Sequence, residues 1–178
     1  MKVFLLLVFI VVSIYAKDNL SQFIDAYKAK DMSQACALGR QLFHENMRDE
    51  KILIASGHAC AEDDYINFIG VLQQRLGKTP ASRKANVYFS TLLLKKRLIS
   101  EYMHEDADLS PYTLPLTDHI LSQVFEAIKV ENFISIAESP KHIRIDDDRG
   151  YIDVSVSNNK VYVKVYKEGR KISEHRYR

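Results

Sequence analysis

The spacing of apolar residues changes from a helical period to a strand period along the chain. From Lys17 to about Ser139, apolar side chains recur three and four residues apart, as on one face of an α-helix. After Pro140 they alternate with polar residues, as in a strand that buries one face. This pattern predicts an α+β protein, with a helical region over 17–139 and a small antiparallel β-meander over 140–178.

The boundaries of several helices can be read from capping residues. The apolar stripe that precedes Gly77 ends there, because glycine is favoured just after a helix end. Thr79 can then cap free amides, and Pro80 suits the first helical position, where no amide partner exists. The helix that starts there is predicted to run to about His104. The segment Phe133–Ala137 fits either a helix or a short strand.

Two groups of polar residues are expected at the surface of the helices. Lys95, Lys96 and Arg97 lie off the apolar face of the long helix. His119 follows Asp118, a pair that could be a base and its orienting carboxylate. We interpret the pair instead as surface polarity near a helix start.

A tight hairpin is predicted in the strand region. Asn158-Asn159 suits a two-residue turn, because asparagine tolerates positive φ. If Ser157 pairs with Lys160, apolar residues meet on one face, as Val156–Val161, Val154–Val163 and Ile152–Val165. The other face then pairs Asp153 with Lys164 and Tyr151 with Tyr166.

Neighbouring strands are expected to extend this hairpin into a meander. A second two-residue turn, Glu168-Gly169, would set Val165 opposite Ile172. An earlier strand would return through an acidic loop and set Ile143 opposite Ile152. Because such a sheet has one apolar face, the helices or a partner must cover it.

The polar face of the hairpin is a candidate partner-binding surface. Tyr151, Tyr162, Lys164 and Tyr166 share this face, and exposed aromatic and basic residues are typical of binding patches. The alternative is a solvated face built from good strand formers, since tyrosine packs well across strands.

The N-terminus has the layout of a secretory signal peptide. Lys2 supplies a positive charge, Val3–Val12 form an unbroken apolar run, and Ala16 is a small residue where a peptidase could cut. We therefore predict a signal peptide over 1–16 and a periplasmic or secreted protein with no stable membrane span after cleavage. The alternative is an uncleaved membrane anchor, although the apolar run is short for one.

The first helices contain a weak internal repeat. Asp31-Met32 aligns with Asp64-Tyr65, and Ala35 then aligns with Phe68. With Tyr27, the first copy resembles a tetratricopeptide repeat around its inter-helix turn, and the resemblance covers about residues 20–80. It implies helical hairpins with a concave surface for peptides or protein segments. A generic bundle of helical hairpins is the alternative.

In the repeat arrangement, Cys36 and Cys60 lie at neighbouring ends of antiparallel helices. Two cysteines in a small exported domain usually pair, so a structural disulfide is predicted. The alternatives are a redox pair or a metal site with His58, but the chain has no C-x-x-C motif.

The net charge and the sequence motifs restrict which ligands the chain is expected to bind. The net charge of +2 on 178 residues gives no indication of nucleic-acid binding. Asp146–Gly150 could offer oxygens to calcium, but the full calcium-loop pattern is missing, and a hairpin turn explains the composition. We expect no cofactor, no metal ion and no nucleic acid.

The sequence thus predicts a non-catalytic binding or scaffolding protein of a bacterial cell envelope that engages a protein or peptide partner. The alternative is an envelope-acting enzyme, or an enzyme inhibitor, with a site between helices and sheet. A further possibility is a sheet edge that accepts a partner's strand. The last strand is strongly basic, which normally protects an edge from pairing.

Overall fold

A computed structural model describes residues 18–148 and 150–177. The predicted signal peptide lies outside these residues. In the described part of the chain, no helix is both long and apolar enough to cross a membrane.

The described chain consists of helices followed by one antiparallel sheet, which confirms the predicted α+β class. The helices are α1 over 18–28, α2 Met32–His44, α3 Glu50–Glu62, α4 Ile66–Leu72, α5 Pro80–Glu105 and α6 Ile120–Lys129, with a short 3₁₀ turn at Gln73–Arg75. The strands are β1 Ile134–Glu138, β2 Lys141–Asp147, β3 Gly150–Ser157, β4 Lys160–Lys167 and β5 Arg170–Tyr177.

The chain divides into two compact units, and the division falls between Phe89 and Ser90 in α5. Residues up to Phe89 form the helical unit, and residues from Ser90 form the sheet unit. The domain bounds predicted from the sequence, 17–139 and 140–178, lie where helices give way to strands. The division by packing lies earlier in the chain, inside α5.

In the helical unit, α2 and α3 pack closely because small residues face each other. A Cβ added to Gly39 would lie 2.6 Å from the Cβ of Ser56, so the backbones approach too closely for a larger residue. Ala35, Cys36 and Cys60 are completely buried. Cys36 and Cys60 form a disulfide with their Cα atoms 4.6 Å apart, as predicted.

The turns that end α1 and α3 share one backbone pattern. The amide of Asp31 donates to the carbonyl of Ala26 at 3.0 Å, and 34 residues later Tyr65 donates to Cys60 at 2.8 Å. Asn132 donates to Ala127 in the same way after α6, so this turn is a general helix ending in the chain. The tetratricopeptide resemblance therefore remains a prediction.

In the sheet unit, the five strands follow one another in chain order as an antiparallel meander. The central hairpin has the predicted register, with Val154 opposite Val163 and Asp153 opposite Lys164. The apolar face is buried along the three middle strands, and its fully covered residues include Ile143, Ile152, Val154, Val161 and Val163.

Two of the predicted strand registers are wrong. Val165 pairs with Ser173 and not with Ile172, because the register shifts between Val165 and Tyr166 and leaves Ile172 exposed. Ile143 pairs with Val154 and not with Ile152, because β2 continues to Asp147, which pairs with Gly150. The connecting loop is shorter than expected, so the pairing moves by two residues and each isoleucine keeps its face.

The ambiguous segment after α6 is a strand, β1, which begins before Pro140. All of its residues are exposed, and the alternation at Ile134-Ser135-Ile136 is too short to distinguish a strand from a helix in the sequence.

Candidate functional site

The structure brings the four predicted partner-binding residues together on the outer face of the sheet. Tyr151 lies opposite Tyr166, and Lys164 lies opposite Asp153 on β3, while Tyr162 occupies the same face of β4. Each of the four side chains is half-buried. We call Tyr151, Tyr162, Lys164 and Tyr166 the tyrosine face.

A neighbouring arginine, not noted in the sequence, completes this surface. The rings of Tyr151 and Tyr166 stack with centroids 4.6 Å apart and planes inclined by 17°. The guanidinium of Arg144 covers Tyr151 from β2, 4.1 Å from its ring centroid. Its Nε donates to Asp153 Oδ1 at 3.2 Å, and this bond raises the pKa of Arg144. Arg144 reaches Tyr151 because β2 pairs with β3 and sets Arg144 opposite Asp153.

Further charges on this side of the sheet are paired with each other. Lys171 forms an ion pair with Glu174, and this hydrogen bond lowers the pKa of the Glu174 carboxyl. Glu174 also lies opposite Lys164 of the tyrosine face. The stacked rings of Tyr151 and Tyr166 and the Arg144–Asp153 ion pair therefore order part of this face.

A cleft of about 670 Å³ lies elsewhere in the sheet unit. Its walls include Tyr102 near the end of α5 and Phe133 just before β1, whose rings meet edge to face with centroids 5.9 Å apart. Three carboxylates, Asp106, Asp108 and Glu131, line it against one lysine, Lys129. We call this the acidic cleft.

The pKa shifts of groups in the acidic cleft have different causes. Burial raises the pKa of the Tyr102 phenol, and the carboxylates of Glu138 and Glu131 raise it further. The backbone amide and hydroxyl of Ser110 donate to Asp108 and lower the pKa of its carboxyl. A general acid needs a raised carboxyl pKa, so the lowered pKa of Asp108 does not suit proton donation.

A buried lysine borders the acidic cleft. Lys141 begins β2, and its ammonium lies 4.0 Å from the ring centroid of Tyr102. It forms an ion pair with Asp106, and burial lowers its pKa. The Tyr102 ring therefore already accepts one cation on its face.

Two of the lysines expected in solvent are buried, so that prediction was wrong for them. Lys95 is completely buried and Lys96 nearly so, whereas Arg97 is exposed as expected. The Lys95 ammonium donates to Ser122 Oγ at 2.9 Å and lies 3.6 Å from Glu126 Oε1. Burial lowers the pKa of Lys95, while Glu126 partly restores it.

A serine beside a lysine of lowered pKa is one arrangement of nucleophilic catalysis. Here, however, Ser122 is buried, and its hydroxyl also accepts from the Thr117 amide at 3.1 Å. Its oxygen lies 2.6 Å from Thr117 Oγ1 as well. These contacts hold the start of α6 against α5 and keep the Ser122 hydroxyl engaged by Lys95 and Thr117.

His119 is a buried helix cap, so its interpretation as surface polarity was wrong. It is the N-cap of α6, and its Nδ1 accepts from the Leu121 amide at 3.2 Å. Its ring lies near Tyr177 of β5, with centroids 6.4 Å apart. An imidazole that caps a helix is not recognised by the usual preference for Ser, Thr, Asp or Asn.

Within residues 18–148 and 150–177, no three His, Cys, Asp or Glu side chains are grouped so that they could hold a metal ion. Comparisons with protein-family models, with curated proteins and with solved structures found no match.

Proposed function

We propose that this chain is an exported, non-catalytic binding protein of a bacterial cell envelope, and that its tyrosine face engages an acidic segment of a partner protein. The observation that carries the proposal is the preformed stack of Arg144, Tyr151 and Tyr166 on a half-exposed sheet face. The predicted signal peptide and the Cys36–Cys60 disulfide support delivery to an oxidising compartment.

Preorganisation is the physical reason why this face suits binding. Side chains that are free before binding lose rotamer entropy when a partner immobilises them, at about 0.5–1.5 kcal/mol each. Tyr151 and Arg144 are already held by stacking and by Asp153, so they lose less. Tyrosine and arginine are also enriched among residues that dominate interface energies.

The excess of basic residues in the strand region favours an acidic partner. Residues 141–178 carry ten Lys and Arg against six Asp and Glu. Lys164 lies in the tyrosine face, where a carboxylate of the partner could reach it. Such complementarity raises association rates and rejects partners of the wrong charge.

The enzyme alternative lacks an observation that favours it. The Ser122–Lys95 pair, which most resembles catalytic machinery, is buried and fully engaged in hydrogen bonds. The carboxyl of Asp108 in the acidic cleft has a lowered pKa, which makes it a poor proton donor at neutral pH.

The binding proposal is tested by titrating the mature chain with a Glu-rich peptide and with its Gln-rich counterpart. We expect amide shifts at β3 and β4 with the first peptide only, and their loss in a Tyr151→Ala/Tyr166→Ala variant. Tyr65→Ala is the matched control, because Tyr65 is an exposed tyrosine whose ring is stacked by Arg40 at 4.1 Å. Equal binding of both peptides, or equal loss in both variants, would refute the tyrosine face.

Export is tested separately by fractionating a bacterial host and sequencing the mature N-terminus. A periplasmic or secreted protein that begins near Lys17 is expected. A full-length chain in the cytosol with reduced Cys36 and Cys60 would overturn the envelope assignment.

A further inference from the structure

A histidine borders the tyrosine face, next to the carboxylate that orders part of it. His142 of β2 lies opposite Ser155 of β3, and Arg144 follows two residues later on the same face. The Nε2 atom of His142 lies 3.6 Å from Asp153 Oδ1, the oxygen that already accepts from Arg144 Nε at 3.2 Å. The His142 side chain is 31% exposed, so a partner can reach it. A proton gained by this imidazole would therefore add a positive charge at the border of the tyrosine face.

Ser155 separates His142 from Tyr162 and leaves room for a ligand group. Tyr162 of β4 lies opposite Ser155 on the other side of β3. Adjacent strands are about 4.8 Å apart, so the backbones at His142 and Tyr162 are separated by about 10 Å, with only a short side chain between them. Ser155 is half-buried, and none of the described residues hydrogen-bonds to its hydroxyl. A carboxylate placed over Ser155 would thus meet a hydroxyl donor and the His142 imidazole.

The side of the sheet that carries the tyrosine face has only a small surplus of positive charge. Along the described strands, this side carries five basic residues and three acidic ones, namely Arg144, Lys160, Lys164, Lys171 and Arg176 against Asp146, Asp153 and Glu174. Because the surplus is small, one added proton changes the charge that an acidic partner meets by a large fraction.

We propose that His142 makes binding at the tyrosine face pH-dependent, because its protonated imidazole and the Ser155 hydroxyl together hold a carboxylate of the acidic partner segment. This inference rests on the proposed function of the face. It adds the residues that select a carboxylate and the direction in which pH regulates binding. The segment binds more tightly in mildly acidic surroundings than at neutral pH.

The sign of the pH dependence follows from the groups around His142. Histidine is the side chain that ordinarily changes its charge between about pH 8 and pH 5. Around it lie Asp153 on β3, Glu138 on β1, Arg144 on β2 itself and Lys164 on β4. Carboxylate, guanidinium and ammonium groups ordinarily keep their charges in this range, as do the glutamates of a partner. Acidification therefore adds positive charge to the face without removing negative charge from the segment.

Titration of the mature chain with the Glu-rich peptide and its Gln-rich counterpart, at about pH 7.5 and about pH 5.5, tests the proposal. Binding is followed by amide shifts at low salt. We expect the Glu-rich peptide to bind about threefold more tightly at the lower pH, since a unit charge about 6 Å from a carboxylate in a wet interface has an effect of this size. The Gln-rich peptide should show no such gain.

The ratio of the affinities at the two pH values, measured for each variant, isolates His142. His142→Gln should abolish the gain because glutamine does not titrate. His142→Lys should also abolish it, because the added charge is then present at both pH values. Ser155→Ala removes the hydroxyl donor and should reduce the gain. His104→Gln is the matched control, because His104 is an exposed histidine of α5, and this variant should keep the gain.

A second readout follows from the reciprocity of linked binding. If the protonated imidazole holds the peptide more tightly, the peptide must favour protonation of His142 by the same factor. The ring signals of His142 should therefore change at a pH about 0.5 higher with the Glu-rich peptide than without it.

An equal gain in His142→Gln and the wild type, or ring signals of His142 that the peptide leaves unchanged, would overturn this inference while the tyrosine face remains a binding site. Failure of the Glu-rich peptide to bind at either pH would refute the proposed function, and this inference with it. An unchanged amide spectrum of each variant outside the substituted region shows that the fold is retained.

Discussion

The helical unit and the sheet unit bury their cores in different ways. In the helical unit, small residues such as Gly39 and Ser56 let helices approach closely, and one disulfide joins α2 to α3. In the sheet unit, branched residues such as Val154 and Val163 form a continuous apolar face. The sheet unit also buries lysines, among them Lys95 and Lys141, each with a carboxylate partner.

This difference shows where each unit should be vulnerable. Close helix packing tolerates no added volume, and the Cys36–Cys60 disulfide makes the stability of the helical unit depend on one covalent bond. A buried cation, in contrast, costs desolvation energy that its partners only partly return. Substitutions that test these points should therefore affect the two units differently.

The largest expected effect is loss of the disulfide. A Cys36→Ala/Cys60→Ala variant should lose about 3 kcal/mol of unfolding free energy, because the unfolded chain regains the entropy of an open loop. Denaturant unfolding with and without reductant measures the loss, and the variant should no longer respond to reductant. Hydrogen exchange should accelerate mainly in α2 and α3. Equal acceleration in β3 and β4 would show that the two units unfold together and would break the comparison.

A smaller loss is expected from adding one methyl group at Gly57. A Cβ there would lie 2.3 Å from Cζ of Phe89, whose ring is completely buried against His58. Gly57→Ala should cost about 2 kcal/mol, because overpacking outweighs the higher helix propensity of alanine. Thermal unfolding measures the cost.

The double variant Gly57→Ala/Phe89→Leu provides the control, since leucine lacks the ring atoms at the point of overlap. The two substitutions should compensate each other in part. Strict additivity of their effects would mean that the overlap does not determine the cost.

In the sheet unit, removing a buried charge should stabilise the protein slightly. Lys95→Met should gain about 1 kcal/mol at neutral pH, because Lys95 is completely buried while its partner Glu126 remains partly solvated. Arg97→Met on the same helix is the exposed control and should have almost no effect. A clear loss of stability in Lys95→Met would show that the lysine contributes more than its burial costs.

The pH dependence of this effect has a definite sign. The pKa of Lys95 is lowered from 10.5 in the folded protein, so the unfolded state binds more protons in that range. The stability of the wild type should rise as pH increases from the folded pKa towards 10.5, and this rise should be smaller in Lys95→Met.

The smallest effect is expected at Glu50, which links two helix starts in the helical unit. Burial raises its pKa, but hydrogen bonds from the Lys78 and Thr79 amides and from neighbouring hydroxyls lower it to about 2. Because the folded pKa is depressed, its contribution is present above pH 4.5 and is lost as pH falls towards 2.

Urea unfolding as a function of pH tests this expectation. Glu50→Gln should flatten the stability profile between pH 4.5 and about 2, the interval between the two pKa values of Glu50. Glu62→Gln, on the same helix, should keep the profile of the wild type. If the Glu50→Gln profile stays as steep as that of the wild type, these hydrogen bonds do not govern acid stability.

Much of the fold could be predicted where one short turn or one cap determines it. Asn158-Asn159 set the register of the central hairpin correctly, because a two-residue turn allows only one pairing of its flanking residues. The start of α5 at Pro80 was correct for a similar reason. The errors at Ile143 and Ile172 arose where strand length and a register shift depend on neighbouring strands.

Less of the candidate sites could be predicted. The tyrosine face followed from alternation along β3 and β4, but the contribution of Arg144 required the pairing of β2 with β3. The acidic cleft combines Tyr102, Asp108 and Phe133, which come from separate parts of the chain. The segment of β1 fitted either a helix or a strand in the sequence, and its place at the edge of the sheet depends on its pairing with β2.

By itself, the sequence determined the order of the elements, the central hairpin and the pairing of Cys36 with Cys60, since periodicity, turn chemistry and helix direction act over short stretches. The tertiary structure alone decided that Lys95 and Lys141 are buried and that the cleft is acidic. Such properties depend on which distant groups are packed around a side chain, because burial and electric field are set by the surroundings in space and not by neighbours along the chain.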